Sequence, residues 1–279
     1  MHKSKIKVTL TRTAVALLVV LFLFWADFPI FWMAMSSFKA AKDLYTVPPT
    51  LFYANLTLQH YFKFFVERGG LTHLLNSIIA SGVSTAIAII LGSFAGYALA
   101  RGNIRKKHDI AYWMITTRMA PIVAVILPFY IIFSSLKILY TLYALIIVYI
   151  SINLAFATWL LWGFFENIPK ELEEAALCDG TTKFGSFLQI ALPLVKPGIA
   201  VTAILCFMFA WNDYMFAFVL TSGDTMTLPV IAARFLTGHR AVPWGQVSCA
   251  GSVVFIPVVL AGFLVRRYLV RGLTLGAIK

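Results

Sequence analysis

The chain has 279 residues, of which 61% are hydrophobic and 12% charged, with a formal net charge of +12. Soluble domains usually carry about 25% charged residues, so water is excluded as the main solvent of this protein. The basic residues sit in short clusters at the ends of apolar segments rather than in one stripe, which excludes a nucleic-acid surface, and the long apolar runs exclude a barrel of short alternating strands.

A helix that spans a bilayer needs roughly 20 mostly apolar residues. Six stretches qualify, at 13–36, 74–100, 110–135, 142–165, 197–221 and 247–270. The predicted fold class is an all-α integral membrane protein of six transmembrane helices, a single membrane domain over 1–279. The first stretch follows a basic start but continues past Asp27 to Met35 without a small-residue cleavage site, so it reads as an uncleaved span rather than a secretory signal. The segment Ser37 to Thr72 is expected outside as a lid or docking surface. Its Val47-Pro48-Pro49-Thr50 disfavours helix, and the tripeptide Asn55-Leu56-Thr57 carries no weight as a glycosylation acceptor.

In the second span Gly92 and Gly96 are four residues apart and predict a close helix contact. Pro121 and Pro128 in the third, and Gly251, Pro257 and Gly262 in the sixth, break or bend the hydrogen-bond ladder unless neighbours compensate. With a cytoplasmic N-terminus, fifteen Lys and Arg fall inside (Lys3, Lys5, Lys7, Arg12, Arg101, Arg105, Lys106, Lys107, Lys170, Lys183, Lys196, Arg266, Arg267, Arg271, Lys279). Seven fall outside (Lys39, Lys42, Lys63, Arg68, Lys137, Arg234, Arg240), a bias that places both termini in the cytoplasm. Cys178, Cys206 and Cys249 lie in an inside loop and two different spans, which is no disulfide framework.

The one long inside loop, 166–196, joins spans four and five. Pro169 suits a first helical turn, and Glu171, Glu173 and Glu174 place negative charge near the positive end of a helix dipole. Leu172, Ala175 and Ala176 form a small apolar stripe opposite the acidic one. Gly180 allows a left-handed stop, and Thr181 or Thr182 can cap a second short helix through Phe184, Phe187 and Leu188 to Pro193. An amphipathic hairpin on the membrane surface is one reading. Such anchors favour Lys and Arg on the polar face, whereas this face is acidic, which argues for a protein partner.

The run Glu174-Ala175-Ala176, then Gly180 after three intervening residues, then Ile190-Ala191-Leu192-Pro193 after nine more, resembles the EAA loop of permease subunits of bacterial binding-protein-dependent ABC importers. The resemblance implies that Glu174, Ala175, Ala176, Asp179, Gly180, Ile190, Leu192 and Pro193 couple the chain to an ATPase subunit, through helices that enter a cleft on it. Met35-Ser-Ser-Phe-Lys39, Asn76-Ser77, Gly96-Tyr97-Ala98-Leu-Ala-Arg101, Pro121 with Ile126-Leu-Pro128, Trp211-Asn212-Asp213 and Gly272 to Lys279 are similar to the carbohydrate-uptake branch. Within that branch they resemble the six-span permease of maltose, trehalose, polyol and glycerol-phosphate importers. The chain departs from that pattern mildly at Cys178 and Asp213. The implied partners are a second permease subunit, two copies of an ABC ATPase, an extracytoplasmic substrate-binding protein and membrane lipid, in a bacterial inner membrane.

No Gly-Lys pair occurs, so the chain has no phosphate-cradling loop of its own, and ATP with its Mg is expected on the partner ATPase. His2, His60, His73, His108 and His239 are scattered without ligand or triad company, so no metal site and no catalytic residue is expected. Intramembrane charges tend to face a cavity or a partner, and Asp27, Arg118 and Asp213 are the candidates, Asp27 being interfacial. Trp211, Asn212 and Asp213 combine a stacking ring with hydroxyl-accepting groups and could line a sugar path, or could equally tie span five to its neighbours. Arg118 is a path candidate that also reads as a structural guanidinium, snorkelling or paired internally. A self-sufficient secondary transporter is the alternative, but it should show internal repeats, and none is visible.

Overall fold

The computed structural model describes residues 2–49, 56–237 and 242–276, with side chains over 11–49, 56–237 and 242–264. Thr50, Asn55, His239, Arg240 and residues 277–279 lie outside the described residues, as do the side chains of His2, Lys3, Lys5, Lys7, Arg266, Arg267, Arg271 and of the whole Gly272 to Lys279 run.

Helices dominate because backbone groups in lipid must be satisfied within their own segment. In chain order these are α1 (His2–Ser37), α2 (Gly70–Arg101), α3 (Lys107–Thr116), α4 (Ile122–Ser135), α5 (Leu142–Glu166), α6 (Lys170–Cys178), α7 (Lys183–Trp211), α8 (Met215–Leu220), α9 (Leu228–Thr237) and α10 (Trp244–Gly276). Among the described residues five helices are long and apolar enough to cross a membrane, and the bent pair α3–α4 makes a sixth. The third span is therefore not one rod. It breaks by 90° after Met119, where Pro121 holds Ala120 in an extended conformation. Pro128 and Pro257, by contrast, sit inside continuous helices.

The chain forms two units, 1–68 with 232–254 and 69–231 with 255–279. In the first, α1 leaves Leu18, Phe22, Phe24 and Trp25 more than half exposed. The residues after it fold back: His60 Nε2 meets the Lys39 carbonyl at 2.8 Å, and the Lys39 ammonium lies 4.0 Å from the Trp32 ring centroid. Lys39 is therefore a buried residue rather than a free charge of an outside loop.

In the second unit α2 carries a face of small residues, Ala80, Ser81, Ser84, Ala88, Gly92 and Gly96, at helical spacing. Ser84 and Ser93 turn their hydroxyls onto carbonyls of α2 itself, so the face is effectively apolar. It meets α5 so closely that a Cβ at Gly96 would stand 2.8 Å from the Trp162 backbone nitrogen, and one at Gly92 2.9 Å from the Ala157 Cβ. Nearer its N-terminus α2 anchors the 224–228 segment. His73 Nδ1 and the Asn76 amide reach the Met226 carbonyl, the same amide reaches Asp224, and the Leu228 N–H donates to Ser77 Oγ.

Candidate functional site

The loop after α5 is built from local signals. Pro169 precedes α6, and Glu171 and Glu173 occupy its first turn, where a positive helix end favours them. The C-terminus closes as a Schellman motif: the Gly180 N–H donates to Leu177 and the Thr181 N–H to Ala176. Gly180 takes φ +87°, the left-handed region, with open space around a would-be Cβ. Glycine is thus required there by backbone conformation and not by crowding. Thr182, rather than Thr181, caps the following turn by accepting the Gly185 N–H at 3.0 Å.

That second helix does not stop at Pro193. It runs through a wide turn, Phe187–Ala191, directly into the fifth span as the continuous α7. In the wide turn each N–H reaches back five residues, and Pro193, which has no N–H, follows immediately, so its missing donor falls where the ladder is already re-registering. Ile190 and Leu192 are half-buried and Pro193 is exposed.

What holds α6 in place is an ion pair rather than its apolar stripe. Glu173 is buried, its Oε1 2.7 Å from Arg101 Nε, and its Oε2 accepts the Tyr97 hydroxyl hydrogen bond at 2.5 Å. Arg101 Nη2 in turn donates to the Ile168 carbonyl at 2.8 Å. Tyr97 and Arg101 are four residues apart, hence on one face of α2, and Tyr97 packs 4.7 Å from Phe187 and 5.5 Å from Phe165. In the sequence the three glutamates read as equivalent dipole charges. The one available signal was the Tyr-x-x-x-Arg spacing at the end of span two. With Glu173 turned in, Glu174, Ala175, Cys178, Asp179 and Gly180 are exposed and Ala176 half-exposed. Leu172, Leu177, Phe184 and Leu188 are exposed with them. An acidic surface carrying four large apolar side chains is suited to a protein partner.

A cavity of about 570 Å³ is lined by Thr117, Arg118, Tyr149, Asn153, Asn212 and Asp213, among apolar neighbours from α4, α5, α7 and α8. The fifth span ends at Trp211, and Asn212 to Tyr214 form a break before α8. Asp213 Oδ2 accepts the Tyr149 hydroxyl at 2.9 Å and the Ala217 N–H at 3.1 Å, so it starts α8 and ties it to α5. Asn212 is exposed and its amide donates to Met208. Trp211 is placed elsewhere: it is buried, stacked 5.7 Å from Phe207, and is not part of the cavity wall. Arg118 lies in a helical turn at the break of the third span, its guanidinium 4.4 Å from the Phe209 centroid and 4.9 Å from that of Phe156. Among the described residues no group of three or more His, Cys, Asp or Glu could hold a metal.

Residues 88–275 match the family model described as binding-protein-dependent transport system inner membrane component. The chain is 36% identical over 277 residues to the inner membrane ABC transporter permease protein YcjP of Escherichia coli (strain K12), covering 98% of both chains. It is 32% identical over 255 residues to the trehalose/maltose transport system permease protein MalG of Thermococcus litoralis, covering 90% of this chain and 91% of that one. In architecture it is similar to a chain of a bacterial ABC transporter involved in the import of the acidic polysaccharide alginate. The TM-score is 0.79 at 20% identity, over 93% of this chain and 96% of the other, a likeness of fold.

Proposed function

We propose, from the premise that this chain belongs to the family of binding-protein-dependent transport system inner membrane components, that it forms half of the path of an ATP-driven sugar importer and transmits the work of a separate ATPase through α6. It is a multi-pass protein of the inner membrane and a permease subunit, with ATP hydrolysis carried out by another subunit. The observation that carries the coupling role is the inward clamp of Glu173 on Arg101, which leaves the rest of α6 and the start of α7 outward, acidic and apolar together. A force applied to that surface has a stiff route into α2, since the Glu173–Arg101 ion pair joins α6 to it and ring contacts of Phe94 and Tyr97 with Phe187 join the start of α7 to it.

Glu174, Ala175, Ala176, Asp179 and Gly180 form the docking surface in this reading, with Ile190, Leu192 and Pro193 leading from it into the fifth span. A second permease supplies the other wall of the path, two ATPase copies with ATP and Mg sit on the cytoplasmic side, and a binding protein delivers substrate from outside. Asn212, Asp213, Tyr149 and Arg118 face that path from this subunit.

The test is reconstitution. Co-expressed with its second permease and ATPase, the chain should support ATP-dependent sugar uptake and should retain the ATPase through purification. By itself it should neither hydrolyse ATP nor accumulate sugar. Uptake driven by a proton or sodium gradient in vesicles holding this chain alone would overturn the reading in favour of a secondary transporter.

A further inference from the structure

The cavity at the break of the third span holds Arg118, a cation that makes no hydrogen bond or ion pair among the described residues. A guanidinium carries five N–H donors. Arg118 meets Phe156 and Phe209 through ring faces, a contact that offsets part of the charge and uses none of the donors. Among the described residues the salt bridges join Arg101 to Glu173 and Lys107 to Glu166, and neither involves Arg118. Phe156 and Phe209 pack edge to face at 5.3 Å and 87°, so the ring pair holds the guanidinium group at this point of the cavity wall. A planar, pre-set fork of this kind suits a carboxylate, sulfonate or phosphate.

Three further features of the same wall agree. The helix that begins at Ile122, on the cavity wall, has no side-chain cap at Pro121. The Ala124 and Val125 N–H groups return to the Pro121 carbonyl, which leaves those of Ile122 and Val123 without a partner among the described residues, and the positive helix end reinforces Arg118. A helix N-terminus at a break in a span can meet an anionic substrate group, as discontinuous helices do in secondary transporters. Asn153 is 2% exposed, and while its amide donates to Cys206, its Oδ1 is buried without a partner. That oxygen and the carboxylate of Asp213 accept but do not donate, which calls for ligand hydroxyls.

The geometry points to a substrate subsite here for an anionic saccharide, with the acidic group on Arg118 and the start of α4, and hydroxyl groups on Asn153 and Asp213. The inference rests on the importer reading and names the substrate class for it. Asp213 keeps its negative charge, but its Oδ2 is turned to Tyr149 and Ala217, so the acidic group of the ligand belongs on Arg118 and the start of α4 and not beside Asp213.

D-glucuronate and D-glucose differ by a carboxylate in place of a hydroxymethyl group and serve as the probes. Calorimetric titration of the importer assembled with its second permease and ATPase in nanodiscs should give about tenfold tighter binding of glucuronate, the value of a charge-assisted hydrogen-bond pair. Arg118→Gln should abolish the preference, Arg118→Lys should keep part of it, and Asn153→Leu should weaken both sugars alike. Equal binding of the two sugars by the wild-type complex, binding of neither, or a preference unchanged by Arg118→Gln overturns the proposal. Retention of the ATPase by the wild-type complex reports on the importer reading separately, whichever sugar binds.

Discussion

Glu173 and Glu174 are neighbours of identical chemistry, and the structure gives them opposite roles. Replacing Glu173 by Ala removes the acceptor of Arg101 Nε and of the Tyr97 hydroxyl. It strands a guanidinium whose side chain is 13% exposed and whose Nη1 already has no partner. Breaking a buried pair from one side destabilises by about 3–5 kcal/mol. The residual exposure of both side chains and the freedom of a nine-residue helix to shift argue for the lower end, about 3 kcal/mol, which raises the opening equilibrium of α6 about 10²-fold. Glu174 is exposed, so Glu174→Ala should change stability by no more than about 0.5 kcal/mol while weakening retention of the ATPase. Hydrogen exchange over 170–178, followed by mass spectrometry on the purified permease pair, separates the two. Faster exchange confined to Glu173→Ala, with ATPase retention reduced in both, is the expected outcome. If Glu173→Ala exchanges no faster than Glu174→Ala, the ion pair does not hold the helix and the reasoning fails.

Gly180→Val places a β-branched residue at φ +87°, a strain of about 1–2 kcal/mol. Since nothing crowds the site, the subunit should insert normally while its complex loses ATP-coupled uptake, and wild-type uptake would contradict this. Gly96→Val drives a Cβ to 2.8 Å from one α5 backbone atom and 3.1 Å from another. It should reduce folded yield through overpacking of about 1–3 kcal/mol, whereas Gly82→Val, with nothing within 4 Å, should not, and equal yields would disprove the close contact. Cys178 is exposed while Cys206 and Cys249 are buried. A maleimide should therefore label Cys178 alone in the isolated permease, and slower labelling with the ATPase bound is expected, equal rates returning α6 to a membrane-surface anchor.

The sequence alone determined what depends on a few neighbouring residues. Apolar length located the spans, Gly180 announced a left-handed stop, a threonine cap before Lys183 followed from the turn chemistry, and the Gly92–Gly96 spacing marked a close contact. Each of these is decided within about one helical turn, or by the solvent a segment must face. Tertiary structure decided which way polar groups point. Glu173 turns in because Arg101 and Tyr97, more than seventy residues earlier, offer it a charge and a hydroxyl. Trp211 is withdrawn from the cavity onto Phe207, while Arg118 is held in it by rings from two other helices. The helix after Thr182 runs on into the fifth span because a wide turn absorbs Pro193, whereas Pro121 ends α3 with a 90° break. A proline or a charge specifies only a demand for a missing donor or a partner, and the element that meets it is chosen by packing across the fold.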